Sequence, residues 1–183
     1  MIDAKDTLDL MNSRQSDRKY SDKPVEKEKL ERIIEAGRMA PSACNAQPWK
    51  FIVVTDPELV LGVADAASAK LIGMNSFVAQ APAILVIVRE KPNMSSKVGA
   101  TIKNKDYSLI DIGIATENIC LQAKAEGIGS CIIGWFDERQ VKKLLEIPKS
   151  KRVELIITLG YSLSEHREKR RKPAAETVSY NKY

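Results

Sequence analysis

The chain has 183 residues, of which 44% are hydrophobic and 29% charged, a balance that suits one domain with its own core and excludes an intrinsically disordered chain. Its longest apolar runs, such as 81–88, fall far short of a bilayer span, and the acidic N-terminal stretch predicts no secretory signal. A net charge of +5 and a pI near 9.0 leave an anionic partner open, and much of the excess sits at 166–172, HREKRRK.

In chain order, residues 3–11 read as a short helix with a weak apolar stripe from Ile2, Ala4, Leu8 and Met11. It runs into SRQSDR (13–18), where Arg14 and Arg18 flank Ser16 and either end a charged helix or converge on an anion. Residues 26–39 form a helix, with Leu30, Ile33, Ile34 and Met39 near helical spacing, Pro24 before it and Pro41 stopping it. In 40–49, APSACNAQPW, two prolines, Ser42 and Asn45 forbid helix and ladder alike, so the stretch is a connector or a ligand-lining loop. A strand at 49–55 ends at Asp56-Pro57, an N-cap and first residue for a helix to 67. GMNSF (73–77) breaks the pattern, and the continuous β-branched run 83–89 predicts a buried central strand.

Residues 90–105 are polar and read as a variable loop. The helix 106–126 is apolar nearly all round, through Leu109, Ile110, Ile112, Ile114, Ile119, Cys120 and Leu121, which predicts burial on most sides as a central helix or a subunit interface. Gly113 and Ala115 would admit another backbone, and Gly127 fits the position after the helix end. A strand at 130–135, a short helix capped at Asp137, a strand at 152–160 and a β-prone tail at 176–183 complete the order. Trp135 and Phe136 read as core.

The chemistry-bearing residues are few. The spacings of Cys44, Cys120 and Cys131 match no metal or redox motif, which points to a reducing cytoplasm. A single histidine, His166, removes most metal and Ser-His-Asp options. The first strand–helix connection lacks a G-x-G-x-x-G, so a dinucleotide Rossmann site is not expected. The basic segment 166–172 reads as a solvated face, a nucleic-acid tail or a site for a small polyanion; with no interleaved aromatics the small anion is favoured.

Four stretches in order, SRQSDR (13–18), APSACNAQPW (40–49), CIIGWF (131–136) and KRRKP (169–173), together with DIGIATENICLQA (111–123), resemble the nitroreductase family of flavoproteins over essentially the whole chain. The resemblance implies an α+β fold, a three-layer α-β-α sandwich with a mixed central sheet, as one FMN-binding domain over 1–183. It also implies an entwined homodimer with FMN at the subunit interface. By that resemblance Arg14, Gln15, Ser16 and Arg18 bind the flavin, with Arg18 near N1 and O2, and Lys169 and Arg171 join Arg14 on the phosphate. Pro41, Ser42, Ala43 and Asn45 match the loop that reaches the partner's flavin. Asn75 matches an amide contact to the pyrimidine edge, and Ile132, Ile133 and Gly134 match the segment beside the ring. Position 43 is Ala where many members have Ser, position 15 is Gln where a basic residue is common, and position 134 is Gly where some have Glu.

The implied activity is reduction of small acceptors, such as nitroaromatics or quinones, by NADH or NADPH in ping-pong order through flavin N5. No protein side chain acts as the catalyst, and no metal, membrane or nucleic acid takes part. The alternatives are a specialised flavin reaction such as reductive dehalogenation, and a basic nucleic-acid-binding protein without flavin.

Overall fold

A computed structural model describes residues 3–68, 74–91, 93 and 104–183. Ile2, Gly73 and most of the variable loop expected at 90–105 lie outside the described residues. The elements follow the expected order: helices α1 (Ala4–Ser13) and α2 (Lys27–Arg38), strand β1 (Trp49–Val54), helix α3 (Pro57–Ala67), strand β2 (Ala83–Arg89), helix α4 (Tyr107–Ala125), strand β3 (Gly129–Ile133), helix α5 (Glu138–Leu144) and strand β4 (Arg152–Gly160). Two 3-10 turns, Ala43–Asn45 and Ser76–Gln80, precede β1 and β2.

Local chemistry sets the helix ends. Asp56 accepts the Leu59 N–H at 3.0 Å with Pro57 at the first position of α3. Asp137 accepts from the Arg139 and Gln140 N–H groups at 2.9 and 3.1 Å and starts α5. At the end of α4 Gly127 takes φ 74°. Its N–H reaches the Lys124 carbonyl at 3.0 Å and the Ile128 N–H reaches the Ala123 carbonyl at 2.8 Å, a Schellman pair that turns the chain into β3.

The strands lie in the order β1-β2-β4-β3, and each neighbouring pair is antiparallel. The sequence reading expected a mixed sheet; the four named strands are instead all antiparallel. Strand direction is set by where the connecting helices pack: α3 and the Ser76–Gln80 turn return the chain over one face, so β2 re-enters beside β1 running the other way. Among the described residues, the isolated bridge Ser16–Ser130 is parallel.

Alternation along β2 divides the core. Ile84, Val86 and Val88 face α3 and α5, while Ala83, Leu85 and Ile87 face α2 and α4. A bulge between Ile87 and Val88 leaves Glu154 of β4 unpaired in the register, so Val153 and Ile156 both reach the α3/α5 side. On the other side α2 and α4 approach closely at Gly37, where an added Cβ would come within 2.7 Å of Ile119 Cδ1. The result is three layers, helices–sheet–helices.

Three expectations change here. Helix α4 buries Ile112, Ala115, Ile119, Cys120 and Ala123 but leaves Leu109, Ile110 and Ile114 38–46% exposed, so one chain covers only part of its apolar surface. Trp135 is 66% exposed rather than core, because β3 ends at Ile133 and the chain turns outward, while Phe136 does pack on the core. The tail expected as β-prone at 176–183 is not a strand: its first two residues close a short helix, α6 (Ala174–Thr177), and residues 178–183 are irregular and exposed. No helix among the described residues is long and apolar enough to cross a membrane.

Candidate functional site

The site begins where α1 stops. Arg14 turns extended, at φ −66° and ψ 133°, and the following run is stitched between two parts of the sheet. The Asp17 N–H donates to the Ser130 carbonyl at 2.9 Å, at the start of β3. The Ser21 N–H donates to the Tyr161 carbonyl at 2.9 Å and the Leu163 N–H to the Lys19 carbonyl at 2.8 Å, just beyond β4. Tyr20 pins the middle: its buried hydroxyl donates to the Asp17 carbonyl and lies 2.7 Å from Thr158 Oγ1. Burial pushes that phenol well above its usual range.

Against this run the basic segment folds back to close a cavity of about 640 Å³, lined by Arg14, Gln15, Ser16, Arg18 and residues 167–171. Lys169 donates to the Arg14 carbonyl, and Arg167 Nη2 donates to the Ser16 carbonyl at 2.7 Å. The lining carries Arg14, Arg18, Arg167, Lys169, Arg170 and Arg171 against one carboxylate, Glu168. Burial, then the charges of Arg14 and Arg171, hold the Lys169 ammonium below its ordinary pKa. Arg14 Nε is buried without a hydrogen-bond partner and lies 3.4 Å from Glu117 Oε1 of α4. Arg18 sits 6.0 Å from the Phe77 ring centroid, which steadies its guanidinium beside the mouth. Crowded cations of this kind are chemically suited to a multiply charged anion.

The expected site residues do not all meet in this cavity. Arg14, Gln15, Ser16, Arg18, Lys169 and Arg171 line it. Pro41, Ser42, Ala43 and Asn45 lie in the loop before β1, where the Ala43 N–H donates to Asp111 Oδ1 of α4 at 3.1 Å and Ser42 Oγ accepts the Gln47 N–H at 2.9 Å. Cys44, Asn45 and Gln47 take positive φ of 52°, 51° and 45°, a costly backbone for residues other than glycine. Arg14 meets α4 at Glu117 and Ala43 meets it at Asp111, about 9 Å apart along the helix axis. The exposed Ile110 and Ile114, and Gly113 with open space above it, lie on the same helix.

A third patch gathers Asn75, Ile132 and Gly134. Asn75 takes φ 61°, and its Nδ2 donates to the Ala67 and Trp135 carbonyls at 3.1 and 3.2 Å, which leaves the amide oxygen as its polar face. Ile132 is exposed, Ile133 is buried, and a Cβ added to Gly134 would meet only Leu155 Cδ2, at 3.9 Å.

Sequence reasoning passed over Asp17 and Ser162, which hold the two sides of the cavity together, and Asp111, which holds the loop through one carboxylate oxygen and keeps the other buried and unpartnered. The signal for Asp17 is a carboxylate between Arg14, three positions before it, and Arg18; the others carry no local signal.

Comparison with known proteins agrees with this architecture. Residues 11–161 match the model of the Nitroreductase family. A putative NADH dehydrogenase/NAD(P)H nitroreductase of Archaeoglobus fulgidus is 35% identical over 86% of each chain. Among solved structures, a nitroreductase family protein from Clostridium novyi NT superposes with a TM-score of 0.75 at 33% identity, covering 85% of this chain and 84% of that one. An FMN-dependent nitroreductase from Clostridium difficile superposes with a TM-score of 0.78 at 30% identity, covering 96% and 99%. With its three layers, its cation-lined cavity and these relatives, the chain belongs to the nitroreductase family and is an oxidoreductase.

Proposed function

We propose that the chain is an FMN-dependent enzyme of one domain that oxidises NADH or NADPH and reduces small aromatic or quinone-like acceptors in ping-pong order, as a cytoplasmic homodimer. The observation that carries this reading is the cation-lined cavity between the N-terminal run and the basic segment. Its donor set fits a flavin phosphate, a near-dianion that guanidinium groups bind in forked pairs, and the Arg14 guanidinium, held by Glu117 through Nε, keeps a fixed place in the lining.

In this reading Arg14, Lys169 and Arg171 hold the phosphate, and Gln15 and Ser16 set the wall from which it is approached. Arg18 offers positive charge to the pyrimidine side of the ring, where charge develops on reduction. Asn75 turns its amide oxygen toward a ring N–H. Ile132 and Ile133 form the strand end beside the ring, and Gly134 keeps that side open. Pro41, Ser42, Ala43 and Asn45 serve the flavin of the second copy, which explains why they lie outside this chain's own cavity. Bound FMN supplies the hydride chemistry at N5; the side chains bind, orient and screen.

The homodimer is supported by the exposed apolar surface of α4, Leu109, Ile110 and Ile114, and by Leu8 and Met11 exposed on α1. Purified protein tests the reading. Yellow protein with flavin absorbance, and oxidation of NADH or NADPH coupled to a nitroaromatic or quinone, is the expected result. Colourless protein that cannot be reconstituted with FMN would overturn it, and stopped-flow reduction by each nucleotide separates NADH from NADPH.

A further inference from the structure

Gln15 lines the cavity, yet its side chain is occupied elsewhere. Its Nε2 donates to Asp17 Oδ1 at 2.9 Å and to the Glu165 carbonyl at 3.0 Å, and its Oε1 accepts the Arg167 N–H at 3.0 Å. Both amide hydrogens are thus engaged inside the protein. Asp17, 4% exposed, receives a second donor on the same oxygen: Ser162 Oγ, at 2.7 Å. Ser162 Oγ also accepts the Ser164 N–H at 3.1 Å, and Ser164 Oγ accepts the Arg18 N–H at 3.3 Å. The chain of bonds runs from the N-terminal run through a buried carboxylate to the base of the basic segment.

Packing around it leaves no slack. A Cβ on Gly129 would stand 2.8 Å from Asp17 Oδ2 and 2.8 Å from Ser162 Cβ, so β3 begins with glycine where the carboxylate and serine press on its backbone. The backbone of 165–167 has no sheet ladder of its own; the Gln15 amide takes both the Glu165 carbonyl and the Arg167 N–H, which replaces one rung.

We propose that Gln15, Asp17 and Ser162 form a clasp that positions the basic segment, and that this clasp sets the preference of the site for a phosphorylated flavin over an unphosphorylated one. The inference rests on the FMN reading above and deepens it. The three are positioning residues: they keep Lys169 and Arg171 in the lining that Arg14 shares. The flavin ring is held by Asn75, residues 132–134 and Arg18, which the clasp meets only through the Arg18 N–H, so an open clasp loosens the phosphate end more than the ring end.

The test compares FMN with riboflavin, which lacks the phosphate, by fluorescence quenching on the full chain. Gln15→Met and Ser162→Ala, which remove donors at partly exposed positions, should weaken FMN about tenfold, the scale of a lost hydrogen bond in a charged network. Riboflavin affinity should fall by less than about threefold, since these bonds meet the ring end only through the Arg18 N–H, at 3.3 Å from Ser164 Oγ. Asp17→Asn keeps an acceptor oxygen for both donors and should retain the FMN preference, whereas Asp17→Ala should lose it. A second readout needs no flavin: tryptic cleavage after Arg167, Lys169, Arg170 and Arg171 should accelerate in Gln15→Met and Ser162→Ala apoprotein. Equal weakening of FMN and riboflavin, or unchanged affinity with unchanged cleavage, would overturn the clasp. If neither flavin binds the unaltered protein, the FMN reading fails instead, and accelerated cleavage still decides whether the bonds hold the segment.

Discussion

At the scale of single residues, the cavity cations and the buried tyrosine make separate demands. Arg14 and Arg171 are the cations whose loss leaves phosphate charge uncompensated, so Arg14→Ala and Arg171→Ala should each raise the FMN dissociation constant at least about tenfold, measured by titration of apoprotein. Unchanged affinity in both would place the phosphate elsewhere. Tyr20 lies in the hinge between run and sheet, with its hydroxyl between the Asp17 carbonyl and Thr158 Oγ1. Tyr20→Phe keeps the ring but leaves those oxygens short of a donor, and should cost about 1–3 kcal/mol in urea denaturation. Arginines near each end of the chain reveal the cavity in the sequence because charge is a property of the residue itself. Asp17 does not stand out that way: its role comes from Ser162, brought to 2.7 Å by the fold across 145 positions.

The elements show where local pattern is enough and where it is not. The run at Ala83–Arg89 is a buried strand with the expected bounds, since a continuous β-branched stretch has few other stable environments. Asp56-Pro57 and Gly127 mark helix ends because capping acts within one turn. Direction in the sheet has no such local carrier, which is why four antiparallel strands replace the mixed arrangement. The surface of α4 was legible as apolar, but periodicity cannot say whether a neighbouring element of the same chain or a second copy covers it.

One joint between elements has a pH signature. Arg32 of α2 donates through Nε and Nη2 to the two carboxylate oxygens of Glu126, the residue ending α4, at 2.7 and 2.8 Å. These bonds, aided by Gln122, hold the Glu126 carboxyl below its ordinary 4.5, at about 2. Because the folded value is the lower one, its stabilisation is fully present above about pH 4.5 and is lost as pH falls toward 2. Arg32→Ala should therefore flatten the fall of melting temperature with pH across that window. Parallel curves for variant and parent would mean that the pair does not join α2 to α4 in solution.

For the whole molecule, the incomplete coverage of α4 and the separation of the loop from its cavity lead to one expectation. Ile110→Glu with Ile114→Glu should give a monomer by light scattering, because two carboxylates would be carried into an apolar interface. The same variant should lose FMN, since Pro41 to Asn45 could no longer reach a second copy's cavity; a stable dimer with full FMN would reject the shared site. The bonds that close the cavity also impose an order in time. Gln15 waits for Glu165, Ser16 for Arg167 and Arg14 for Lys169, partners separated by 150, 151 and 155 positions. A ribosome makes β4 before it makes any of them, so the sheet and both helical layers can assemble while the cavity still has one wall. The cavity is then the last part of the fold that synthesis can complete: a nascent chain stopped after Ser164 carries the core of the protein but not the basic wall of the cavity.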